Sequence, residues 1–230
     1  MNYNIITIFP SMFDSYFNES IIKRAQDKGI IKIKTHALRD FTTDKHKTVD
    51  DTPYSGGAGM VMMIEPLYKA LQAVNLQSSI TNYESKNKSK IVLLSAKGRR
   101  WTQQVAQEFA KLENITMICG RYEGVDQRIT EFIDEEISIG DFVLTGGEIG
   151  AMTIVDSVTR LLPGVLGNEF SAIDESHSVP GVLEYPQYTK PEVFKVGDKE
   201  YAVPEILLSG NHKKIQEWRE NAKIKKPSNG

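Results

Sequence analysis

The sequence predicts an α/β protein: short buried strands alternate with amphipathic helices to build a parallel sheet, and a small helical C-terminal domain follows. Three observations carry that prediction. Short apolar runs bounded by glycine or proline recur over the first two-thirds of the chain. Helical periodicity fills the gaps between them, and five of the nine prolines (163, 180, 186, 191 and 204) crowd the stretch that follows. A chain of 230 residues with 40% hydrophobic and 25% charged residues can bury such a core, which excludes wholesale disorder and fibrous repeats.

In order, Tyr3 to Ile8 is an apolar run ended by Pro10 and reads as the first strand. Ile21, Ile22 and Ala25 recur at helical spacing within Ser20 to Lys28, and Gly29 suits the position just past the helix end. Ile31-Lys32-Ile33-Lys34 alternates like a half-buried strand. Pro66 fits the first turn of a helix whose Leu67, Ala70, Leu71 and Val74 share a face, and the polar stretch Gln77 to Ser89 is a surface connection. Lys90 to Ser95 and Ile115 to Cys119 are buried strands flanking a helix marked by Val105, Ala106, Phe109 and Leu112. A third apolar piece, Ile137-Ser138-Ile139, precedes a helix striped by Ile149, Met152, Val155, Val158 and Leu162, which Pro163 stops. Pro163 to Pro191 is too long for a passive connection and is expected to be functional or a linker. In the tail, Pro204 to Ser209 and Asn211 to Lys223 are helical, with Ile215 and Trp218 on one face.

No apolar run approaches the ~18 residues that span a bilayer, and Met1 to Ile5 lack the pattern of a secretion signal. The lone Cys119 excludes an internal disulfide and reads as a small buried hydrophobe. The expected compartment is the cytoplasm, with no membrane partner. The four histidines show no metal-ligand spacing, so no metal is expected. The net charge of −2 conceals segregation: Lys86 to Arg100 holds six basic and no acidic residues, Arg121 to Glu148 two basic and eight acidic, and Asn211 to Lys226 six basic and two acidic. Basic ends around an acidic centre would let a polyanion bind locally without a basic bulk charge.

Three glycine-bearing turns follow directly on strands: Ser95-Ala96-Lys97-Gly98-Arg99, Gly120-Arg121-Tyr122-Glu123-Gly124, and Gly140 through Gly146-Gly147-Glu148. Ligands bind at the C-terminal ends of strands in open α/β sheets, and glycine there lets backbone approach them closely, so three such turns predict one pocket. Neither a dinucleotide fingerprint nor a G-K-[ST] phosphate loop is present. A nucleoside without a pyrophosphate fits better, and the acidic segment would tolerate the sulfonium of S-adenosyl-L-methionine. A fourth glycine cluster, Gly56-Gly57-Ala58-Gly59, is either a surface loop or a segment that closes over substrate. Arg160 at a helix end, with the acidic pair Asp174-Glu175 in the following loop, suits alkylation of guanine at N1: the nitrogen must lose a proton while charge builds on O6.

In combination these residues resemble the bacterial tRNA (guanine-N1)-methyltransferases of the TrmD family over nearly the whole chain. The matching blocks are Ile8-Phe9-Pro10, Asp50-Asp51 through Gly59-Met60, Cys119 to Asp126, Ile139 to Glu148, Arg160 with Pro163 to Gly167, Tyr185 to Thr189, and Leu207 to His212. The resemblance implies a SPOUT-type α/β fold with a C-terminal trefoil knot, an exception to the usual connection rules. It divides the chain into a methyltransferase domain over 1–162, a linker over 163–191 carrying the catalytic acid, and a tRNA-binding domain over 192–230. It further implies methyl transfer from S-adenosyl-L-methionine to the guanosine immediately 3′ of the anticodon of tRNA, by a homodimer whose active site lies at the subunit interface. Carried over, the cofactor contacts fall on Leu94, Ser95, Gly120, Ile139, Gly140, Asp141, Phe142, Val143, Leu144, Gly146 and Gly147, and the O6 donor on Arg160. The catalytic acid falls on Glu175, where the family pattern has Asp, and adjacent Asp174 competes for the role. His177 and Ala96 also depart from the family's Phe and Pro. Two rivals stay open: another knotted RNA methyltransferase with a different target, and a non-enzymatic RNA-binding module.

Overall fold

A computed structural model describes residues 1–54, 56–77, 88–167 and 175–225. The chain forms two compact units, Met1–Gly167 and Asn168–Gly230.

The first unit is built on a five-stranded sheet of β1 (Asn2–Thr7), β2 (Lys32–Ala37), β5 (Ser89–Arg100), β6 (Asn114–Cys119) and β7 (Glu135–Ser138), in the order β2-β1-β6-β5-β7. Every pairing is parallel, with Ile5 opposite Met117 and Leu94 opposite Cys119. A parallel sheet is covered on both faces, and the strand residues divide accordingly. Tyr3, Ile5, Val92, Leu94, Ile115 and Met117 face a core shared with α1 (Ser20–Asp27), α3 (Gln103–Phe109) and α4 (Glu148–Thr159). Ile6, Leu93 and Ile118 face a second core with Leu67, Ala70, Leu71 and Val74 of α2 (Ile64–Gln77), the four positions its periodicity predicts. Of the expected surface connection after α2, residues 78–87 lie outside the described ones.

Two local departures shape the site. The expected strand over Lys90 to Ser95 continues to Arg100, because β5 pairs with β7 twice: Leu94 and then Arg99 lie opposite Ile137. The register jump extrudes Ser95 to Gly98 from the sheet. Gly98 permits it, since a Cβ there would lie 2.4 Å from the backbone carbon of Glu136 and the nitrogen of Ile137. In α4, Val155 and Val158 of the expected stripe are buried, but Ile149 is 52% exposed. Gly150, Ala151 and Ile154 face inward instead, and a small residue is favoured where the helix start crosses β5, since a Cβ on Gly150 would meet Leu94 Cδ1 at 3.0 Å.

A small hairpin of β3 (Asp50–Asp51) and β4 (Val61–Met62) is stitched to the loop after β6 by three backbone bonds: Glu123 N–H to Met60 O, Met62 N–H to Gly124 O, and Asp126 N–H to Met62 O. On the edge strand β2, His36 is buried with its ring Nε2 2.9 Å from Asn4 Oδ1. Burial, followed by the charge of Lys34, lowers its pKa to about 4. An unfolded histidine takes its proton near pH ~6.5, so between there and pH ~4 the unfolded chain binds more protons and stability rises with pH. The urea midpoint is expected to fall on acidification from about pH 7 to about pH 4.5, and His36→Gln to shrink that fall. An identical fall in the variant would exclude His36 as the cause.

The second unit is not purely helical, as its sequence suggested. Besides α5 (Glu205–Leu208) and α6 (His212–Ala222) it holds the short pair β8 (Val182–Leu183) and β11 (Ile224–Lys225), and a hairpin of β9 (Val193–Val196) and β10 (Lys199–Ala202). The hairpin turns on Gly197-Asp198, with Gly197 at φ 58°, the conformation that a two-residue turn asks of its first position. Trp218 of α6 packs against the rings of Tyr185 and Tyr188, and the Arg219 guanidinium lies over Tyr185. Asn211 caps α6 by accepting from the Lys214 N–H.

Candidate active site

The loops at the C-terminal ends of β5, β6 and β7 enclose a cavity of about 300 Å³. All three glycine turns singled out in the sequence reach it. The extruded segment contributes Ser95, Ala96 and Lys97, the loop after β6 contributes Gly120 to Val125, and the loop after β7 contributes Ile139, Gly140 and Phe142 to Gly147. Ten of the eleven expected cofactor positions thus line one space: Leu94, Ser95, Gly120, Ile139, Gly140, Phe142, Val143, Leu144, Gly146 and Gly147. Asp141 does not, and its exposed carboxylate pairs with Arg100 at 3.1 Å.

At Gly147, glycine is needed for close approach rather than for backbone freedom. A Cβ on Gly147 would lie 2.8 Å from both Cys119 Cα and Leu94 Cβ, so the chain before α4 is seated directly on β5 and β6. The Gly147 N–H donates to Gly120 O at 2.9 Å and fixes that seat. Tyr122, at φ 58°, is a bulky residue in the left-handed region, a conformation that concentrates at functional sites. Burial, and then a hydrogen bond to Asp50, raise its pKa.

Arg121 and Glu148 were not recognised in the sequence as a pair, although each stands in one of the glycine turns. Arg121 Nε donates to Glu148 Oε2 at 2.9 Å, and the Thr7 hydroxyl donates to Oε1 at 2.8 Å. Glu148 is 1% exposed, and it opens α4, where the helix dipole favours a carboxylate. Beside this pair Cys119 is fully buried, and burial, with the Glu148 charge adding to it, raises its pKa well above normal. The thiol stays protonated and serves as packing.

The two expected catalytic residues fall in different units. Arg160 is the C-cap of α4 in the first, its backbone N–H bonded to Asp156 O. Glu175 lies in the second, its carbonyl accepting from the Ser178 N–H. Asp174 lies outside the described residues. Among the described residues no helix is long and apolar enough to cross a membrane.

Part of the first two charge runs is paired within the fold. Lys90 pairs with Glu135, Arg99 makes a two-pronged bond to Glu108, Arg100 reaches Asp141, and Arg128 pairs with Asp126. Lys90 and Arg100 of the basic run therefore meet the acidic run beyond β6, while Arg99 is paired with α3 and Arg128 within the acidic run itself.

A parallel sheet with three glycine loops around a cavity at its C-terminal edge defines an α/β protein with a candidate ligand site where open sheets of this class place theirs. The family model "tRNA (Guanine-1)-methyltransferase TrmD" matches residues 1–229, and the chain belongs to that family. Curated relatives include the tRNA (guanine-N(1)-)-methyltransferase of Dictyoglomus turgidum, 53% identical over 97% of this chain and 85% of that protein. That of Geobacillus kaustophilus is 51% identical over 98% of this chain and 88% of that protein. Among solved structures, the tRNA (m1G37) methyltransferase from Aquifex aeolicus superimposes with a TM-score of 0.75 at 37% identity, covering 96% of this chain and 90% of that one.

Proposed function

We propose that this chain transfers a methyl group from S-adenosyl-L-methionine to N1 of the guanosine immediately 3′ of the anticodon of tRNA. The observation that carries the reading is family membership across residues 1–229, joined to a cavity lined by ten of the positions expected to hold the cofactor. The cavity suits such a donor. Leu94, Ile139, Phe142 and Leu144 offer apolar surface to an adenine, the glycine loops offer backbone, and Glu123 and Glu136 offer negative charge near a cation. S-adenosyl-L-methionine supplies an electrophilic methyl carbon on a sulfonium.

The remaining chemistry falls to this chain. The target base must be turned out of its stack to reach a pocket. Arg160 donates to guanine O6, where negative charge develops as N1 attacks, and Glu175 takes the N1 proton. Arg160→Ala is expected to cut the transfer rate about 10²- to 10³-fold while donor affinity holds within about twofold. Calorimetric loss of donor binding instead would remove Arg160 from the substrate role.

The reading extends to architecture and compartment. The tight seat of Gly147 on Leu94 and Cys119 supports a trefoil knot in the C-terminal half of the sheet that grips the cofactor. Domains over 1–162 and 192–230 would flank a catalytic linker over 163–191. Exposed Phe9, Met12, Tyr16 and Ile149 support a homodimer with the site at its interface. They cluster, since Arg121 touches both Phe9 and Met12, and Tyr16 bonds to Asp156 on the α4 face that Ile149 shares. The reaction would take place in the cytoplasm.

The test is nucleoside analysis of an unmodified tRNA transcript after incubation with the protein and S-adenosyl-L-methionine. The expected product is 1-methylguanosine. A different methylated base, a methylated ribose, or tRNA binding without methylation would overturn the proposal.

A further inference from the structure

Arg121 lines the cavity, yet each of its three guanidinium nitrogens already has a partner within the chain. Nε bonds to Glu148, Nη1 bonds to Thr145 O at 3.1 Å, Nη2 approaches Met12 Sδ at 3.3 Å, and Phe9 covers the guanidinium at 4.8 Å. Gly146 leaves room for it, because a Cβ there would fall 2.1 Å from Arg121 Nε. Arg121 is therefore a fixed cation in the wall rather than a receptor for an anion. The wall holds a second cationic residue, Lys97, against the carboxylates of Glu123 and Glu136. Glu148, seated behind Arg121, tips this balance from neutral to one negative charge. A group that is 1% exposed is poorly screened by water, so its charge reaches the cavity with more force than a surface carboxylate would.

We propose that Glu148 is a specificity-determining residue: by cancelling the charge of Arg121, it lets the cavity accept a cationic sulfonium and favour it over the neutral thioether left after transfer. This rests on reading the cavity as the methyl-donor site. The role is electrostatic, and it acts on affinity rather than on the transferring atoms. It also favours turnover, since the donor binds as a cation and the product S-adenosylhomocysteine leaves uncharged at sulfur.

The test is calorimetric titration of the full chain with S-adenosyl-L-methionine and, separately, S-adenosylhomocysteine, two ligands that differ in charge at one atom. In Glu148→Gln, which keeps an oxygen to accept from Arg121 Nε, donor affinity is expected to fall about tenfold further than thioether affinity. In Arg121→Gln, which keeps a donor for Glu148, the ratio is expected to shift the opposite way, and this variant carries the test if Glu148→Gln does not fold. Equal weakening of both ligands in the folded variants, or an unshifted ratio, would reduce Glu148 to a structural role and overturn the proposal. If the wild-type chain bound neither ligand, the donor-site reading itself would fall, an outcome distinct from an unshifted ratio.

Discussion

Glu175→Gln is expected to slow single-turnover methyl transfer to a guanosine-bearing tRNA transcript about 10²- to 10⁴-fold. Glutamine keeps the length and shape of the side chain and removes only its ability to take a proton. Guanine N1 carries a hydrogen that must depart as the nitrogen gains a methyl group, and without a base the attacking nitrogen becomes a strong acid in the transition state. Donor affinity should hold within about twofold, because the proposed base meets the guanine rather than the cofactor. The neighbouring carboxylate supplies the control. Asp174→Asn is expected to leave the rate within about threefold, because the proposed base is the neighbouring Glu175. If Asp174→Asn alone abolished transfer, the base would be Asp174 and the one-residue assignment would be wrong. If neither did, the proton would leave by another route and the linker would lose its catalytic role.

The sheet was legible because its strands are buried on both faces, so Tyr3 to Thr7, Ile91 to Leu94 and Ile115 to Cys119 appear as apolar runs interrupted only by Asn4, Thr7 and Thr116. The hairpin of β9 and β10 was missed for the opposite reason. Its residues are exposed on both faces, so no apolar alternation marks it, and the prolines around it suggested irregular chain; Gly197-Asp198 was the one available signal. The cofactor loops could be read because each follows a strand and carries glycine. Arg121 and Glu148 could not be read as a pair, since 27 residues separate them and only the sheet order brings them together. The charge runs mislead in the same way: a count along the chain cannot show that Lys90 meets Glu135, or that Arg100 meets Asp141. What the sequence conveys is local chemistry and periodicity. What it hides is pairing between distant segments, and with it the register jump that brings Ser95 to Lys97 into the cavity wall.

That jump and the seat of Gly147 make the cavity wall sensitive to a single methyl group. Gly147 has ordinary helical angles, φ −79° and ψ −8°, so alanine there meets no backbone penalty. Its Cβ would still lie 2.8 Å from Cys119 Cα, and backbone in a central strand cannot yield as a flexible side chain does. Gly147→Ala is therefore expected to destabilise the chain by about 1–3 kcal/mol, the usual cost of overpacking a close-packed interior. The same displacement pushes Gly120 and the loop after β6 apart and breaks the 2.9 Å bond from Gly147 N–H to Gly120 O, so donor affinity should fall at least about tenfold. Gly167→Ala is the control: a Cβ there meets nothing within 4 Å, and its thermal midpoint and donor affinity should match the wild type. Thermal unfolding and calorimetry on both variants decide the matter. A Gly147→Ala protein with wild-type midpoint and affinity would mean that the wall gives way easily, and the close threading of the chain between β5 and β6 would no longer account for how the cofactor is held.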